Sequence, residues 1–181
     1  MKNILITGGA GFIGSNLSLQ LLQKGYRITV LDCLHPQIHG ENPEQTSPLY
    51  QSIRDKVHFI KGDVTNKSDW EKALENQHII VHLAAETGTG QSMYEIERYT
   101  NVNVSGTAIL LDYLTNTQHT IEKVVVASSR AVYGEGKYFS ERMQQYFYPK
   151  DRKETDLENG IFELRNPLDE MVFLKVVATD E

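Results

Sequence analysis

Three glycines spaced Gly8-x-x-Gly11-x-x-Gly14 interrupt the apolar run that starts at Ile4 and lead directly into an apolar helical pattern. The chemistry such a stretch can do is anion binding. Glycine lets the backbone turn sharply and approach a ligand that a Cβ would hold off. A helix opening behind the turn presents unpaired N–H groups and a partial positive charge, so the expected ligand is an anion, a pyrophosphate foremost. Asp32 stands 18 residues beyond Gly14, at the end of a second apolar run. An acid at that distance in a strand–helix–strand unit can accept hydrogen bonds from both hydroxyls of an adenosine ribose. The competing reading is an acid that merely ends a strand.

Residues 2–7 and 27–32 read as buried parallel strands, because their apolar runs do not alternate. Between them Ile13, Leu17 and Leu21 fall four apart on one helical face, and Gly25 ends the helix. Residues 33–55 are weakly patterned and punctuated by Pro36, Gly40, Pro43 and Pro48, which predicts a long loop with a turn of helix at 49–55. His35 and His39 in that loop read as solvated surface rather than metal ligands. A third strand is expected at 57–61, closed by Gly62-Asp63-Val64, then a short helix over 65–76 with Trp70, Ala73 and Leu74 inward. A fourth strand at 78–83 runs into small residues at 84–90, which suit either a loop lying against a cofactor or a flexible one. A long helix is expected over 93–117. Gly106 in its interior costs about 1 kcal/mol relative to Ala, which implies close packing there. Residues 124–127 form a fifth strand. This alternating series predicts an α/β fold, a Rossmann-type doubly wound parallel sheet over residues 1–136. Residues 137–181 read as a polar insertion, without a persistent period over 137–170 and with a short strand at 171–177, that runs into the start of a further segment.

The chain has 181 residues, 40% hydrophobic and 23% charged, as expected for an ordinary globular domain. A net charge of −6 without a basic stripe argues against nucleic acid as a partner. The single cysteine, Cys33, excludes an internal disulfide and a multi-cysteine metal site, and no metal is expected. No apolar run reaches membrane-spanning length, and the N-terminal apolar segment enters a glycine turn rather than a cleavage site. A cytoplasmic location is the expectation.

Six motifs stand in order: Thr7 to Gly14, Asp32, Asp63-Val64, His82-Leu-Ala-Ala85, Asn103 with Val104 to Thr107, and Ser128-Ser129 with Val132-Tyr-Gly134. Together they resemble the extended short-chain dehydrogenase/reductase family, the NAD-dependent nucleotide-sugar epimerases and dehydratases. The resemblance covers residues 2–134. It implies that Gly8, Gly11 and Gly14 shape the turn, with the Phe12 and Ile13 amides near the pyrophosphate. It implies that Asp32 holds the ribose and favours NAD over NADP, since a carboxylate repels a 2′-phosphate. Asp63 and Val64 would meet the adenine. Leu83, Ala84, Ala85 and Thr87 would line the cofactor path, with Asn103 beside it. Ser129 matches the catalytic hydroxyl that hydrogen-bonds the hydroxyl on the sugar carbon being oxidised. A nucleotide sugar is the implied substrate, and a homo-oligomer assembled through the 93–117 helix is the implied state.

The family's chemistry also uses Tyr-x-x-x-Lys on one helix, the Tyr acting as general base with a pKa lowered by the Lys. Tyr133…Lys137 encloses two glycines, and Tyr146…Lys150 encloses Pro149, which breaks a helix. Neither is expected to be the pair. The segment 176–181 resembles what precedes the catalytic helix in relatives, so the chain is expected to stop short of its base and of the C-terminal substrate lobe, and to be inactive alone. Dehydratases of the family carry Asp-Glu after the catalytic hydroxyl residue. Arg130 and Ala131 stand here, which favours an epimerase-like parent. A non-catalytic dinucleotide-binding module, a sensor or assembly subunit, is the alternative.

Overall fold

The computed structural model describes residues 2–129, 132, 134–168 and 170–172. The chain divides into two compact units, Met1–Ala127 and Ser128–Glu181. In the first, β1 (Asn3–Thr7) leads to α1 (Phe12–Gln23) and β2 (Arg27–Asp32). Three short helices follow, α2 (Pro36–His39), α3 (Pro43–Thr46) and α4 (Pro48–Ile53). Then come β3 (His58–Lys61), α5 (Lys67–Leu74) and β4 (Ile79–His82). A single 3₁₀ turn (Gln91–Met93) precedes α6 (Ile96–Thr100), a π turn (Asn101–Ser105), α7 (Gly106–Asn116) and β5 (Lys123–Val126).

The five strands form one sheet in the order β3-β2-β1-β4-β5, parallel throughout. The chain winds outward from β1 in both directions, so the doubly wound, Rossmann-type sheet expected from the sequence is present. Its strands read as unbroken apolar runs because both faces are covered. On one face Ile4, Ile6, Ile28 and Val30 pack with Ile53 of α4 and with Leu17 and Leu21 of α1. On the other Leu5, Leu31 and Ile80 pack with Trp70 and Leu74 of α5 and Leu110 of α7. Neighbours such as Leu5 and Ile6 serve opposite faces, as the strand period of two requires. Each fully buried Leu or Ile of this kind contributes about 2 kcal/mol of transfer free energy. The register sets Thr7 opposite both Leu31 and His82. The ends of β1, β2 and β4 therefore lie along one sheet edge, where a ligand of an open parallel sheet is held.

Two stretches differ from expectation. Residues 33–55 are not a long loop, although α4 does fall on the turn of helix expected at 49–55. Pro36, Pro43 and Pro48 each open a short helix from its first position, where a missing N–H costs nothing and the fixed φ suits the helix. The 93–117 helix is divided by the π turn at Asn101–Ser105. Gly106 just beyond it is tightly packed, as expected, for a Cβ there would lie 3.0 Å from Val64 Cγ2.

In the second unit, β6 (Tyr138–Ser140) and β7 (Gln145–Phe147) form an antiparallel hairpin. It is followed by α8 (Glu154–Glu158) and a second small pair, β8 (Leu164–Arg165) and β9 (Met171–Val172). Tyr138, Phe147 and Leu164 make its core. These elements, two to five residues long, are too short to show a period in sequence, which is why 137–170 read as irregular. The expected strand at 171–177 is described only at its first two residues, and 173–177 lie outside the described residues. Arg165 grips Asp156 through two bonds of 2.7 and 2.9 Å, which holds the Asp156 carboxyl below its usual range.

Candidate functional site

β1 delivers Thr7 to the sheet edge, and the chain turns at once. Gly8 sits at φ +66°, and a Cβ there would lie 2.8 Å from the Ala84 amide nitrogen. The turn thus packs backbone against backbone on the segment leaving β4. A Cβ on Gly14 would lie 2.5 Å from Gly8 O and Gly9 Cα, so the first turn of α1 folds directly back onto the glycines. Gly11 is the N-cap of α1, no side chain caps the helix, and no acid occupies its first turn. The leading N–H groups, those of Phe12 and Ile13 among them, and the positive end of the dipole are left for an anion. The Phe12 and Ile13 side chains are exposed.

Asp32 ends β2 beside this turn. Its Oδ2 accepts the Ala10 amide at 2.9 Å and its Oδ1 accepts the Leu34 amide at 2.8 Å. Two loops are thereby tied to one carboxylate that is 9% exposed, and each oxygen keeps acceptor capacity for a hydroxyl. His39 lies against the same group, with Nε2 3.8 Å from Asp32 Oδ1 and Nδ1 2.8 Å from Ser47 Oγ. Ser47 Oγ also accepts the Tyr50 amide, which ties the His39 ring to the start of α4. The expectation that His39 is solvated surface is corrected, because the proline-started helices fold it inward, where it is 6% exposed. The signal for this is spatial, an acid seven residues upstream in sequence but adjacent once α2 forms.

His82 belongs to the His82-Leu-Ala-Ala85 motif, and sequence alone assigns it no work. The structure gives it a place in a buried relay. His82 Nδ1 lies 2.7 Å from Thr7 Oγ1, and Nε2 lies 3.1 Å from Thr107 Oγ1. Thr7 Oγ1 accepts the amides of Leu83 and Ala84, so it donates to Nδ1. Thr107 Oγ1 donates to the Asn103 carbonyl, so it accepts from Nε2–H. Burial pushes the His82 pKa down, consistent with this neutral ring. Asn103, within the π turn, donates to the Glu86 carbonyl at 3.0 Å and accepts the Glu86 amide at 2.8 Å. The segment Leu83, Ala84, Ala85, Glu86 and Thr87 is thus pinned from both sides, by Thr7 of β1 and by Asn103.

Asp63 Oδ1 accepts from the Thr65 amide and hydroxyl, both at 2.8 Å. Val64 is 6% exposed, and its carbonyl accepts Trp70 Nε1. Both directly follow the end of β3, on the strand-end side of the sheet that carries the glycine turn. Ser129 is the second residue of the second unit, and its carbonyl accepts the Val132 amide. Arg130, Ala131, Tyr133 and the segment 176–181 lie outside the described residues. Tyr146 belongs to β7, with Lys137 Nζ 4.5 Å above its ring, so Tyr146 and Lys150 do not share a helix. Among the described residues no group of acids, histidines and cysteines is arranged to hold a metal ion, and no helix is long and apolar enough to cross a membrane.

Fold and strand-end geometry together define a Rossmann-type domain. A family model for the NAD dependent epimerase/dehydratase family matches residues 4–152, and the chain belongs to that family. It is 42% identical over 159 residues to a dTDP-L-rhamnose 4-epimerase of Burkholderia thailandensis, covering 87% of this chain and 42% of that protein. It matches the structure of Thermus thermophilus UDP-glucose 4-epimerase in complex with NAD at a TM-score of 0.61 and 31% identity, over 77% of this chain and 43% of that one. Bifidobacterium longum UDP-glucose 4-epimerase, in complex with NAD+ and UDP, matches at 0.58 and 28%, over 77% and 41%. The chain therefore spans about two-fifths of the length of these relatives. The family's cofactor is NAD, and the sheet unit is homologous to the cofactor-binding part of nucleotide-sugar epimerases.

Proposed function

We propose that this chain supplies the NAD-holding part of a nucleotide-sugar epimerase. The observation that carries the reading is the Asp32 carboxylate, held by the Ala10 amide of the glycine turn and by the Leu34 amide. One group thereby fixes the distance between an anion site and a diol site. The residues fit a dinucleotide. The glycine cradle leaves no room for a Cβ, the uncapped α1 receives the pyrophosphate, and Asp32 takes the adenosine hydroxyls. Asp63 and Val64 border the adenine. Leu83, Ala84, Ala85 and Thr87 line the path, and Asn103 sets that segment's position. Bound NAD supplies reversible oxidation of a sugar hydroxyl, and Ser129 holds that hydroxyl. The sugar is carried on UDP or dTDP.

An NAD titration by calorimetry tests this, with wild type binding and Asp32→Asn weakened about ten- to a hundredfold, as expected for lost charge-assisted bonds. Asp32→Asn should also narrow the preference for NAD over NADP, because the repelling charge is gone. No response of wild type to millimolar NAD would overturn the reading. We further propose that the chain self-associates through the apolar face of α6 and α7.

A second reading, a non-catalytic dinucleotide-binding module, is favoured by one observation. Among the described residues no Tyr and Lys stand four apart on one helix. The two readings separate on whether a partner polypeptide carrying such a helix restores turnover.

A further inference from the structure

The loop after β2 and the loop after β4 are joined by side chains, and the function assigned above does not use that junction. Gln37 Nε2 in α2 donates to Gln91 Oε1 at 2.7 Å. Arg98 Nη2 in α6 donates to His35 Nε2 at 3.1 Å. Arg98 is itself fixed, with Nε and Nη2 on Glu86 Oε1 at 3.0 and 2.7 Å and Nη1 on Glu95 Oε2 at 2.8 Å. Tyr99 secures the same loop by donating to the Gly88 carbonyl at 2.8 Å.

In the sheet, β1 lies between β2 and β4. A bridge from the β2 loop to the β4 loop must therefore span two strand spacings, about 10 Å, past the end of β1 where the glycine turn stands. We propose that Gln37, Gln91, His35 and Arg98 are positioning residues that form a clasp across the dinucleotide crevice and set the rate at which cofactor enters and leaves. This rests on the reading of the crevice as an NAD site.

The clasp has a kinetic signature that a binding residue lacks. Every bond in it joins protein to protein, so it closes with or without a dinucleotide. A gate of that kind slows entry and exit by one common factor and leaves Kd unchanged, because it acts on the fraction of open molecules and not on the contacts of the bound state. A residue that touches cofactor changes Kd, chiefly through the exit rate.

The test is stopped-flow fluorescence of NADH binding and release on the purified protein. Gln37 is exposed, so Gln37→Leu should fold, and Gln91→Leu provides the same loss from the other side. Each should raise the association and dissociation rates together by about five- to tenfold, the net effect of one neutral hydrogen bond, with Kd within about twofold of wild type. His35→Leu should act alike, while His35→Gln, which keeps an acceptor for Arg98, should return rates near wild type. Unchanged rates in Gln37→Leu and Gln91→Leu overturn the clasp. So does a weakened Kd with an unchanged association rate, which would mark these as direct contacts. Wild type that fails to bind NADH removes the NAD reading itself, and is distinguished from both by the absence of any signal.

Discussion

His82 is a buried side chain whose charge state the structure constrains. Thr7 donates to its Nδ1, so a second ring proton there would set two donors face to face and break the hold on the Leu83 and Ala84 amides. Its pKa in the folded state lies below the ordinary value because burial disfavours the cation. The unfolded chain therefore takes up the proton first, from about pH 6.5 downward. The stability that neutral His82 contributes is fully present above that pH and is lost as pH falls through it toward the folded-state pKa. Thermal unfolding between pH 7.5 and about pH 5 should show a falling midpoint, with a shallower fall in His82→Gln, which cannot titrate. Equal slopes would mean that other groups govern acid sensitivity. At this scale the sequence was half legible. Asp32 and the glycines announce themselves through spacing. His82 and His39 do not, because their partners Thr7 and Asp32 come from other strands or need α2 to form first.

The helical segment α6, π turn and α7 performs two tasks on different sides. Inward, Asn103 and Thr107 hold the β4 loop and the His82 ring, and Leu110 enters the core. Outward, Ile96, Val104 and Leu111 are exposed, at 65%, 63% and 55%. Large aliphatic side chains left to water along one helix cost solubility unless a second copy covers them. Light scattering should find wild type self-associated, and Val104→Glu with Leu111→Glu should shift it toward monomer. A monodisperse wild-type monomer would contradict that assembly. Long elements such as α1 and the strands were readable because burial on a fixed face imposes a period. Helices α2 and α3 were not, since four residues make barely one turn, while α4 falls on the turn of helix expected at 49–55. Their prolines signal a break and a helix start equally well.

As a whole, the first unit contains the glycine turn, Asp32 and the segment after β4 that are proposed to hold NAD, while Ser129 falls in a separate unit. The described residues contain no helical Tyr and Lys pair to act as general base. On the proposed reading as the NAD-holding part of an epimerase, the 181-residue polypeptide should bind NAD and by itself give no detectable interconversion of UDP-glucose and UDP-galactose or of dTDP-sugars. Product detected by anion-exchange chromatography, lost in Tyr146→Phe, would instead assign the base to β7. The fold class was legible at this scale because a parallel sheet repeats one unit, strand then helix. The small hairpins of the second unit have no such repeat to read.

The π turn at Asn101–Ser105 also carries a message about insertion and deletion. A π turn holds one residue more than an α turn needs, and each residue in an α-helix advances the face by about 100°. Removing a single residue from 101–105 would restore an unbroken α ladder, a gain in local regularity. It would also rotate α6 against α7 by about that angle. Asn103 would leave Glu86, and Arg98 would leave His35. In this stretch the chain can tolerate a change of residue more readily than a change of length.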